Sequence, residues 1–402
     1  MKRLIAPMLC MFITLTGCAR HDRILRLEPE TFTPAVAEHT GVTYEPEDPP
    51  FVSFRYGRSL MEGEMAALYD SIQDFLSSTI AGDTMIPVGN ELTENEIAYT
   101  ITIFQRENPI YYWAELSVNG RYINVSSKIP PDEVLEQRQA IETRAALILE
   151  PIKSASPFEI ALAIHDALGT IPYSNDESQP DRDNLYGTLV NNEAICGGYA
   201  SAYLYLTELA GLESVFLAGE SERGISHAWN AVRLDEAWHF VDITWNRPND
   251  KFGNVRHAYF LIDTETLKIG RYWDENQYTI MPDPGEGFRD YYQRRGCSVS
   301  GETTFDAVEI MADIFYQQLV TTQSFPAAAQ AINLELRVSD SPEVYAQWKD
   351  LFIKHLFDIL RIVHTKALEE DANFIVANLD RVSCDYNDIA HILMFYPIIK
   401  GR

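Results

Sequence analysis

Apolar side chains recur every three or four positions in four stretches of the first 170 residues, which predicts helices that each bury one face. These stretches cover residues 61–75, 91–106, 131–149 and 156–169. The last one begins with Ser156-Pro157-Phe158-Glu159, a capping box with proline at the first helical position. Residues 111–125 are aromatic and β-branched around Asn119–Gly120, which predicts two strands joined by a two-residue turn.

The helical spacing returns after Cys196 and predicts a helix that runs from this cysteine to Gly211. Three strands are predicted next, over residues 214–218, 227–234 and 238–244, with the last two joined at Asp235–Glu236. Beyond residue 300 the pattern predicts a small α/β region, with helices over 304–320 and 342–368 and strands over 332–338 and around Val382. The fold class is therefore predicted to be α+β.

The composition narrows the classes of function. The chain has 402 residues, an apolar fraction of 46% and a formal net charge of -27. The apolar fraction is that of a globular protein, and the charge argues against nucleic acid as a partner because like charges repel. The sequence has neither the spacing of a His-Glu-x-x-His metal helix nor a phosphate-binding glycine loop, so we predict no metal and no cofactor.

The first seventeen residues have a basic start, a short apolar core and a small-residue exit, as in a secretory signal. Their end, Leu15-Thr16-Gly17 before Cys18, resembles the lipobox of bacterial lipoproteins. The resemblance implies cleavage before Cys18, lipidation of this cysteine, and a location in the cell envelope, anchored to a bacterial membrane and facing outside the cytoplasm. An ordinary signal peptide with a chance cysteine is the alternative.

The candidate chemistry lies between residues 191 and 246. Cys196, His227 and Asp242 are, in this order, the residue types that a thiol nucleophile, its base and an orienting carboxylate require. Cys196 opens a helix, where the positive end of the helix dipole lowers thiol pKa values. The glycines that follow, Gly197 and Gly198, would let a substrate backbone approach closely.

The strand register decides whether the histidine and the aspartate can meet. A two-residue turn at Asp235–Glu236 places Trp229 opposite Asp242, with His227 as the diagonal neighbour of Asp242 on the same face. Diagonal neighbours lie about 7–8 Å apart, within reach of an imidazole–carboxylate hydrogen bond. A slip of one residue would separate the two side chains.

These residues resemble the transglutaminase-like superfamily, whose core is related to papain-type thiol enzymes, and in particular its bacterial and kyphoscoliosis-peptidase-like members. The resemblance rests on four segments and covers roughly residues 155–265: Gly-Thr-Leu-Val around residue 188, Ile-Cys-Gly-Gly-Tyr-Ala from Ile195, His-Ala-Trp-Asn from His227, and Trp-His-Phe-Val-Asp-Ile-Thr-Trp-Asn from Trp238. It implies a core in which the helix carrying the cysteine packs on an antiparallel sheet carrying the histidine and the aspartate. It also implies that Cys196 is the nucleophile, His227 the base and acid, and Asp242 the orienting carboxylate.

Two features depart from the family pattern. The turn at Asp235–Glu236 lacks the usual glycine, and no glutamine precedes Cys196 as an oxyanion donor. The Cys196 backbone N–H can supply one donor. Asn191 and Trp229 are weak candidates for the second, while Asn246 either binds substrate or forms a turn. His165 and His239 are interpreted as packing residues, and His257 has no assigned role.

The predicted organisation has five parts, listed in chain order: a lipoprotein signal peptide at 1–17, an acidic proline-rich tether at 18–50, a helix and hairpin region at 51–150, the transglutaminase-like catalytic core at 151–300 and the α/β region at 301–402. The tether is too polar to bury a core and would lift the folded part from the membrane. With Cys196 free, Cys297 and Cys384 are two unpaired buried thiols or, in an oxidising compartment, a disulfide.

The predicted function is a lipid-anchored thiol enzyme that acts on a protein or peptide substrate at the cell envelope through an acyl-cysteine intermediate. Hydrolysis is preferred to amine cross-linking because water needs no further acceptor site. The alternative is a lipoprotein whose core binds a peptide or a glycan without catalysis.

Overall fold

The computed structural model describes residues 55–78, 84–248, 255–273, 281–282, 285, 287–322, 333–369 and 382–397. The predicted signal peptide, Cys18 and the tether lie outside these ranges. Within them, no helix is both long enough and apolar enough to cross a membrane.

The N-terminal region has a hydrophobic cluster of its own, which includes Ile72, Phe104 and Ile123. The helices are Tyr56–Ser59 (α1), Gly63–Ser78 (α2), Glu94–Glu107 (α3) and Pro131–Leu149 (α4), and the strands are Thr84–Pro87 (β1), Ala114–Asn119 (β2) and Tyr122–Ser127 (β3). The strands form a sheet in the order β1-β3-β2. The hairpin is confirmed, but Asn119 pairs with Tyr122, so the turn residues are Gly120 and Arg121, one position later than predicted. Gly120 has a φ of 61°, the left-handed conformation that glycine adopts without strain.

A five-stranded antiparallel sheet forms the middle of the molecule, in the order β7-β6-β5-β4-β8. Its strands are Ser214–Ser221 (β4), Ser226–Leu234 (β5), Ala237–Val241 (β6), Phe260–Ile262 (β7) and Arg271–Tyr272 (β8). The helices around it are Pro157–Gly169 (α5), Leu185–Leu189 (α6), Cys196–Leu209 (α7), Ile243–Asn246 (α8), Thr264–Lys268 (α9) and Tyr291–Arg295 (α10). The long helices α5 and α7 share the hydrophobic core of this sheet. The predicted α+β core, with the cysteine-bearing helix packed on an antiparallel sheet, is confirmed.

The start of α5 has one of the two hydrogen bonds of the predicted capping box. The Ser156 hydroxyl accepts a hydrogen bond from the Glu159 backbone N–H, as predicted. The reciprocal bond from the Ser156 backbone is absent among the described contacts, because the Glu159 carboxylate instead forms an ion pair with Arg295 on α10. The cap therefore also connects α5 to the segment after the sheet.

The C-terminal sheet has the order β11-β12-β10-β9 and lies against three helices. Its elements are Ser298–Val299 (β9), Leu334–Val338 (β10), Val382–Asn387 (β11), Ile392–Pro397 (β12), Ala307–Thr322 (α11), Pro342–Lys354 (α12) and Leu356–Glu369 (α13). The single helix predicted over 342–368 is wrong, because His355 leaves helical geometry at φ −112° and ψ 21°. A second helix, α13, begins at the next residue, and the His355 ring contacts Asp358 in its first turn.

Strand β12 has apolar side chains on both faces. Leu393 and Phe395 belong to the core of the C-terminal helices, whereas Ile392 and Met394 belong to the core of the central sheet. Alternate residues of a strand point to opposite faces, so this one strand contributes to two cores. The predicted boundaries of the five parts stay predictions.

Candidate active site

Helix α7 places Cys196 at its first turn, and its remaining residues explain why the helix is buried. Tyr199, Tyr203 and Leu206 step by three or four positions and are at most 1% exposed. Ile195, the residue before the helix, has extended geometry and donates its N–H to the Arg182 carbonyl at 2.7 Å. The thiol thus lies where the first helical N–H groups have no partners within the helix.

The hairpin of β5 and β6 has the predicted register, with Leu234 opposite Ala237. Asp235 and Glu236 form the turn with φ values of 51° and 68°, although neither is glycine. Both central residues of a type I′ turn require positive φ. The Asp235 carboxylate accepts a hydrogen bond from Arg294 at 2.7 Å, which holds the turn from the neighbouring segment.

Asp242 does not lie on the strand, so the strand predicted through residue 244 is too long. Strand β6 ends at Val241, and Asp242 caps the short helix α8 by accepting a hydrogen bond from the Trp245 N–H at 3.2 Å. Its other oxygen, Oδ2, lies 2.7 Å from Nε2 of His227. The cap fixes the carboxylate of Asp242, which is fully buried. The predicted contact of this carboxylate with His227 is therefore present.

The His227 ring is therefore oriented by its Nε2 atom, which leaves Nδ1 to exchange a proton with the thiol. Burial lowers the pKa of His227, but the charge and the hydrogen bond of Asp242 outweigh it and raise the pKa to about 9. Burial also raises the pKa of Cys196, yet hydrogen bonding to His227 and the charge of this histidine bring it below its ordinary value. Opposite shifts of this kind favour a thiolate–imidazolium pair.

A cavity of about 340 Å³ opens beside the thiol and the imidazole. It is lined by Cys196 and His227 together with Tyr173, Ser221, Glu222, Arg223, Ile225, Ser226, Thr244 and Trp245. The tip of the β4–β5 hairpin forms one side, and two aromatic side chains form another. A peptide segment could reach the thiol through this opening.

The weak candidates from the sequence occupy other positions. Asn191 is exposed after α6, and Trp229 is buried and stacked on His227 at 5.9 Å. Asn246 is fully buried, where its amide contacts His165 at 3.0 Å and accepts the Tyr259 N–H at 2.9 Å. None of the three is among the residues that line the cavity. Their roles in oxyanion or substrate binding stay predictions.

The two glycines after the cysteine differ in how tightly this chain packs against them. A Cβ on Gly198 would lie 2.5 Å from Oγ1 of Thr188 and 2.6 Å from the Arg182 carbonyl oxygen. A Cβ on Gly197 would lie 3.4 Å from the Asp183 carbonyl oxygen. The expectation that a substrate approaches closely is therefore wrong for Gly198, which admits the preceding segment of the chain itself, and it stays a prediction for Gly197.

Sequence reasoning missed Arg271, which contacts the candidate carboxylate. Its Nε and Nη2 atoms lie 2.8 and 2.7 Å from Oδ2 of Asp242, and its side chain is 1% exposed. No apolar period and no motif marks this residue, which lies 29 positions after Asp242 in the chain. Tyr173 was also missed, because a single tyrosine in a loop carries no signal of its own.

A second buried polar group lies behind the site. His257 contacts Asp166 at 3.0 Å and Glu335 at 3.4 Å, while His165 contacts the same Asp166 oxygen at 2.8 Å. The ligand atoms of His165, Asp166 and His257 are close enough to hold a metal ion. Burial lowers the pKa of His257, but the two carboxylates raise it to about 10. Both histidine rings form hydrogen bonds with Asp166, so the three side chains form a buried hydrogen-bond network.

Among the described residues, Cys196, Cys297 and Cys384 are all free, so no disulfide joins the last two. Burial raises the pKa of Cys297. Burial, and then the neighbouring Asp385, raise the pKa of Cys384. Cys196 alone of these three has a lowered pKa.

The segment that carries the candidate site is similar to a known protein family. Residues 146–243 match the family model of the transglutaminase-like superfamily. This part of the chain is similar to the transglutaminase-like superfamily. The matched range includes both Cys196 and His227 as well as Asp242, and it spans α5 to the end of β6.

Two relatives are similar in sequence to part of this chain. The kyphoscoliosis peptidases of Mus musculus and Homo sapiens are each 27% identical over 112 residues, which cover 24% of this chain and 17% of theirs. The chain therefore matches less than a fifth of the length of these relatives.

Two solved structures are also similar to this chain. A crystal structure of a TGase has 16% sequence identity and a TM-score of 0.27, over 42% of this chain and 53% of its own. A putative cysteine protease from Cytophaga hutchinsonii has 14% identity and a TM-score of 0.24, over 33% of this chain and 54% of its own.

Proposed function

We propose that the chain is a thiol enzyme that cleaves or transfers peptide or amide bonds, with Cys196 as nucleophile, His227 as base and acid, and Asp242 as orienting carboxylate. The observation that carries this proposal is the 2.7 Å contact of His227 with buried Asp242 beside a cysteine whose pKa is lowered. The superfamily match and the peptidase relatives support the same class of chemistry.

The proposed reaction has two halves. The Cys196 thiolate attacks the substrate carbonyl carbon, and the protonated His227 then gives its proton to the departing amine, which leaves an acyl-cysteine. In the second half His227 removes a proton from water or from an acceptor amine, which attacks the thioester and releases the thiolate. Asp242 keeps Nε2 of the ring occupied throughout, so that proton transfer takes place at Nδ1.

The negative oxygen of each tetrahedral intermediate needs hydrogen-bond donors. The backbone N–H of Cys196, at the first turn of α7, is one proposed donor. Tyr173 lines the same cavity, and burial followed by the charge of Cys196 raises the pKa of its hydroxyl. Because this hydroxyl keeps its proton, we propose it as the second donor, in place of Asn191 and Trp229.

The test is the pH dependence of alkylation at Cys196 by iodoacetamide, read by mass spectrometry of the peptide that contains it. We expect a midpoint below that of an ordinary thiol, because His227 stabilises the thiolate. His227→Ala should raise the midpoint, since the burial that raises the pKa of the thiol would then be opposed only by the backbone hydrogen bonds from Ala228 and Gly197.

Cys384 provides an internal control in the same sample, because burial and Asp385 raise its pKa. The alkylation midpoint of Cys384 should lie above that of an ordinary thiol and should not change in His227→Ala. If Cys196 instead titrates as an ordinary thiol in both proteins, the enzyme proposal fails and the alternative of a peptide- or glycan-binding module gains support.

The membrane anchor is a separate proposal. It is supported by the sequence Leu15-Thr16-Gly17-Cys18 and by the polar segment that follows it. With this anchor, the enzyme would act at the cell envelope on protein or peptide substrates. Expression of the full chain in a bacterium, followed by mass measurement of its N-terminal peptide, would reveal the expected acylated Cys18.

A further inference from the structure

Asp242 interacts with a permanent positive charge as well as with the histidine. Its Oδ2 atom lies 2.7 Å from His227 Nε2 and at 2.8 and 2.7 Å from Nε and Nη2 of Arg271. Oδ1 accepts the Trp245 N–H. A carboxylate that is 0% exposed thus has two cationic partners on one oxygen.

The guanidinium group of Arg271 is held in place from three directions. Strand β8 pairs Arg271 with Ser221 on β4, which fixes its backbone at the edge of the sheet. The guanidinium carbon lies 4.2 Å from the Trp245 ring centroid and 4.6 Å from that of Tyr259. Planar guanidinium groups stack well on aromatic rings, so this pair of rings limits the rotation of the side chain.

The arrangement has a consequence for the proposed reaction. His227 alternates between the protonated and the neutral form, so it is a cationic partner for Asp242 during only part of the cycle. Arg271 stays charged throughout, because arginine does not lose its proton in proteins. A buried carboxylate without a cationic partner would tend to take up a proton and would then no longer be an anionic acceptor for the ring.

We propose that Arg271 is a positioning residue of this site, which keeps the Asp242 carboxylate ionised and aimed at His227 when the histidine is neutral. The proposal deepens the proposed function and rests on it, because it acts through the same histidine and thiol. Arg271 itself does not touch the reacting atoms.

Other charged and titratable groups surround the same position. Tyr259, just before β7, contacts Arg271, and Glu222 at the tip of the β4–β5 hairpin lies near Tyr259. Tyr173 lies near Cys196, and Arg247 stacks on the Tyr173 ring at 4.7 Å. A change in the titration of Cys196 must therefore be traced to Arg271 by a comparison that leaves these groups unchanged.

The experiment is a double-mutant cycle on the alkylation midpoint of Cys196. Arg271→Met and Asp242→Asn are each expected to raise the midpoint by about one pH unit, which is about a tenfold loss of thiolate at a fixed lower pH. In the Asp242→Asn background, Arg271→Met should cause no further rise, because Arg271 acts through the carboxylate. A full additional rise in that background would overturn the proposal.

Two further variants make the result specific. Arg271→Lys keeps the charge but loses the planar group that donates the Nε hydrogen bond to Asp242, so its midpoint should lie between those of the wild type and Arg271→Met. Arg233→Met is the matched control, because Arg233 lies on β5 of the same sheet and pairs with Glu213 at the surface. It should leave the midpoint unchanged, and a shift as large as that of Arg271→Met would overturn the proposal.

The outcomes separate this proposal from the one on which it rests. If His227→Ala moves the midpoint and Arg271→Met does not, the enzyme proposal stands and the role of Arg271 fails. If neither variant moves it, both fail. Should Arg271→Met not fold, Arg271→Lys decides alone, because a wild-type midpoint in that variant contradicts the need for the guanidinium contact with Asp242.

Discussion

Cys196→Ala should reduce peptide cleavage and acyl transfer by a factor of about 10³ or more, to the background level. Without the sulfur atom no acyl-enzyme forms, and His227 with Asp242 has no nucleophile to activate. The measurement uses a library of random synthetic peptides, with and without a fluorescent primary amine. Mass spectrometry then counts cleaved peptides and peptides that carry the amine. The ratio of the two products reports whether water or an amine is the acceptor.

The matched control is Cys384→Ala, which removes a half-buried free thiol on β11 that does not line the cavity. This variant should keep wild-type activity. If Cys196→Ala processed the peptides as fast as the wild type, the activity would not come from this thiol. Binding of the same peptides without turnover in either protein would support the alternative of a binding module.

Most of the secondary structure could be predicted because the apolar pattern is regular. Residues 131–149 form one helix within the predicted limits, and the register of the β5–β6 hairpin followed from its two-residue turn. The errors occur where a polar side chain overrides that pattern. Asp242 ends β6 by capping α8, and the contact of His355 with Asp358 divides one predicted helix into two.

Contacts within the candidate site could be predicted only between residues that are close in sequence or that lie on strands whose pairing register was known. His227 and Asp242 lie on or beside neighbouring strands, so their meeting followed from the pairing of those strands. Arg271 reaches Asp242 only because β8 pairs with β4, and a two-residue strand leaves no periodic signal. The contact of Glu335 on β10 with His257 likewise depends on the packing of the C-terminal sheet against the central one.

The packing of the two glycines after Cys196 also could not be predicted from the sequence. The sequence predicts the same role for Gly197 and Gly198, namely close approach of a substrate backbone. Only the packing of the preceding segment of the chain distinguishes the two residues. The Thr188 side chain and the Arg182 carbonyl fill the space where a Cβ on Gly198 would lie. This contact positions the first turn of α7, and with it the thiol, against the segment before it.

Gly198→Ala should therefore lower the free energy of unfolding by about 1–3 kcal/mol, the usual cost of overpacking a filled site. The backbone carbonyl at 2.6 Å cannot rotate away as a side-chain end could, so the segment or the helix must shift. Urea denaturation of the full chain measures the change. Gly197→Ala is the matched control, because its nearest contact at 3.4 Å is ordinary van der Waals contact and should cost less than about 0.5 kcal/mol. Equal stability of the two variants would contradict the packing role of Gly198.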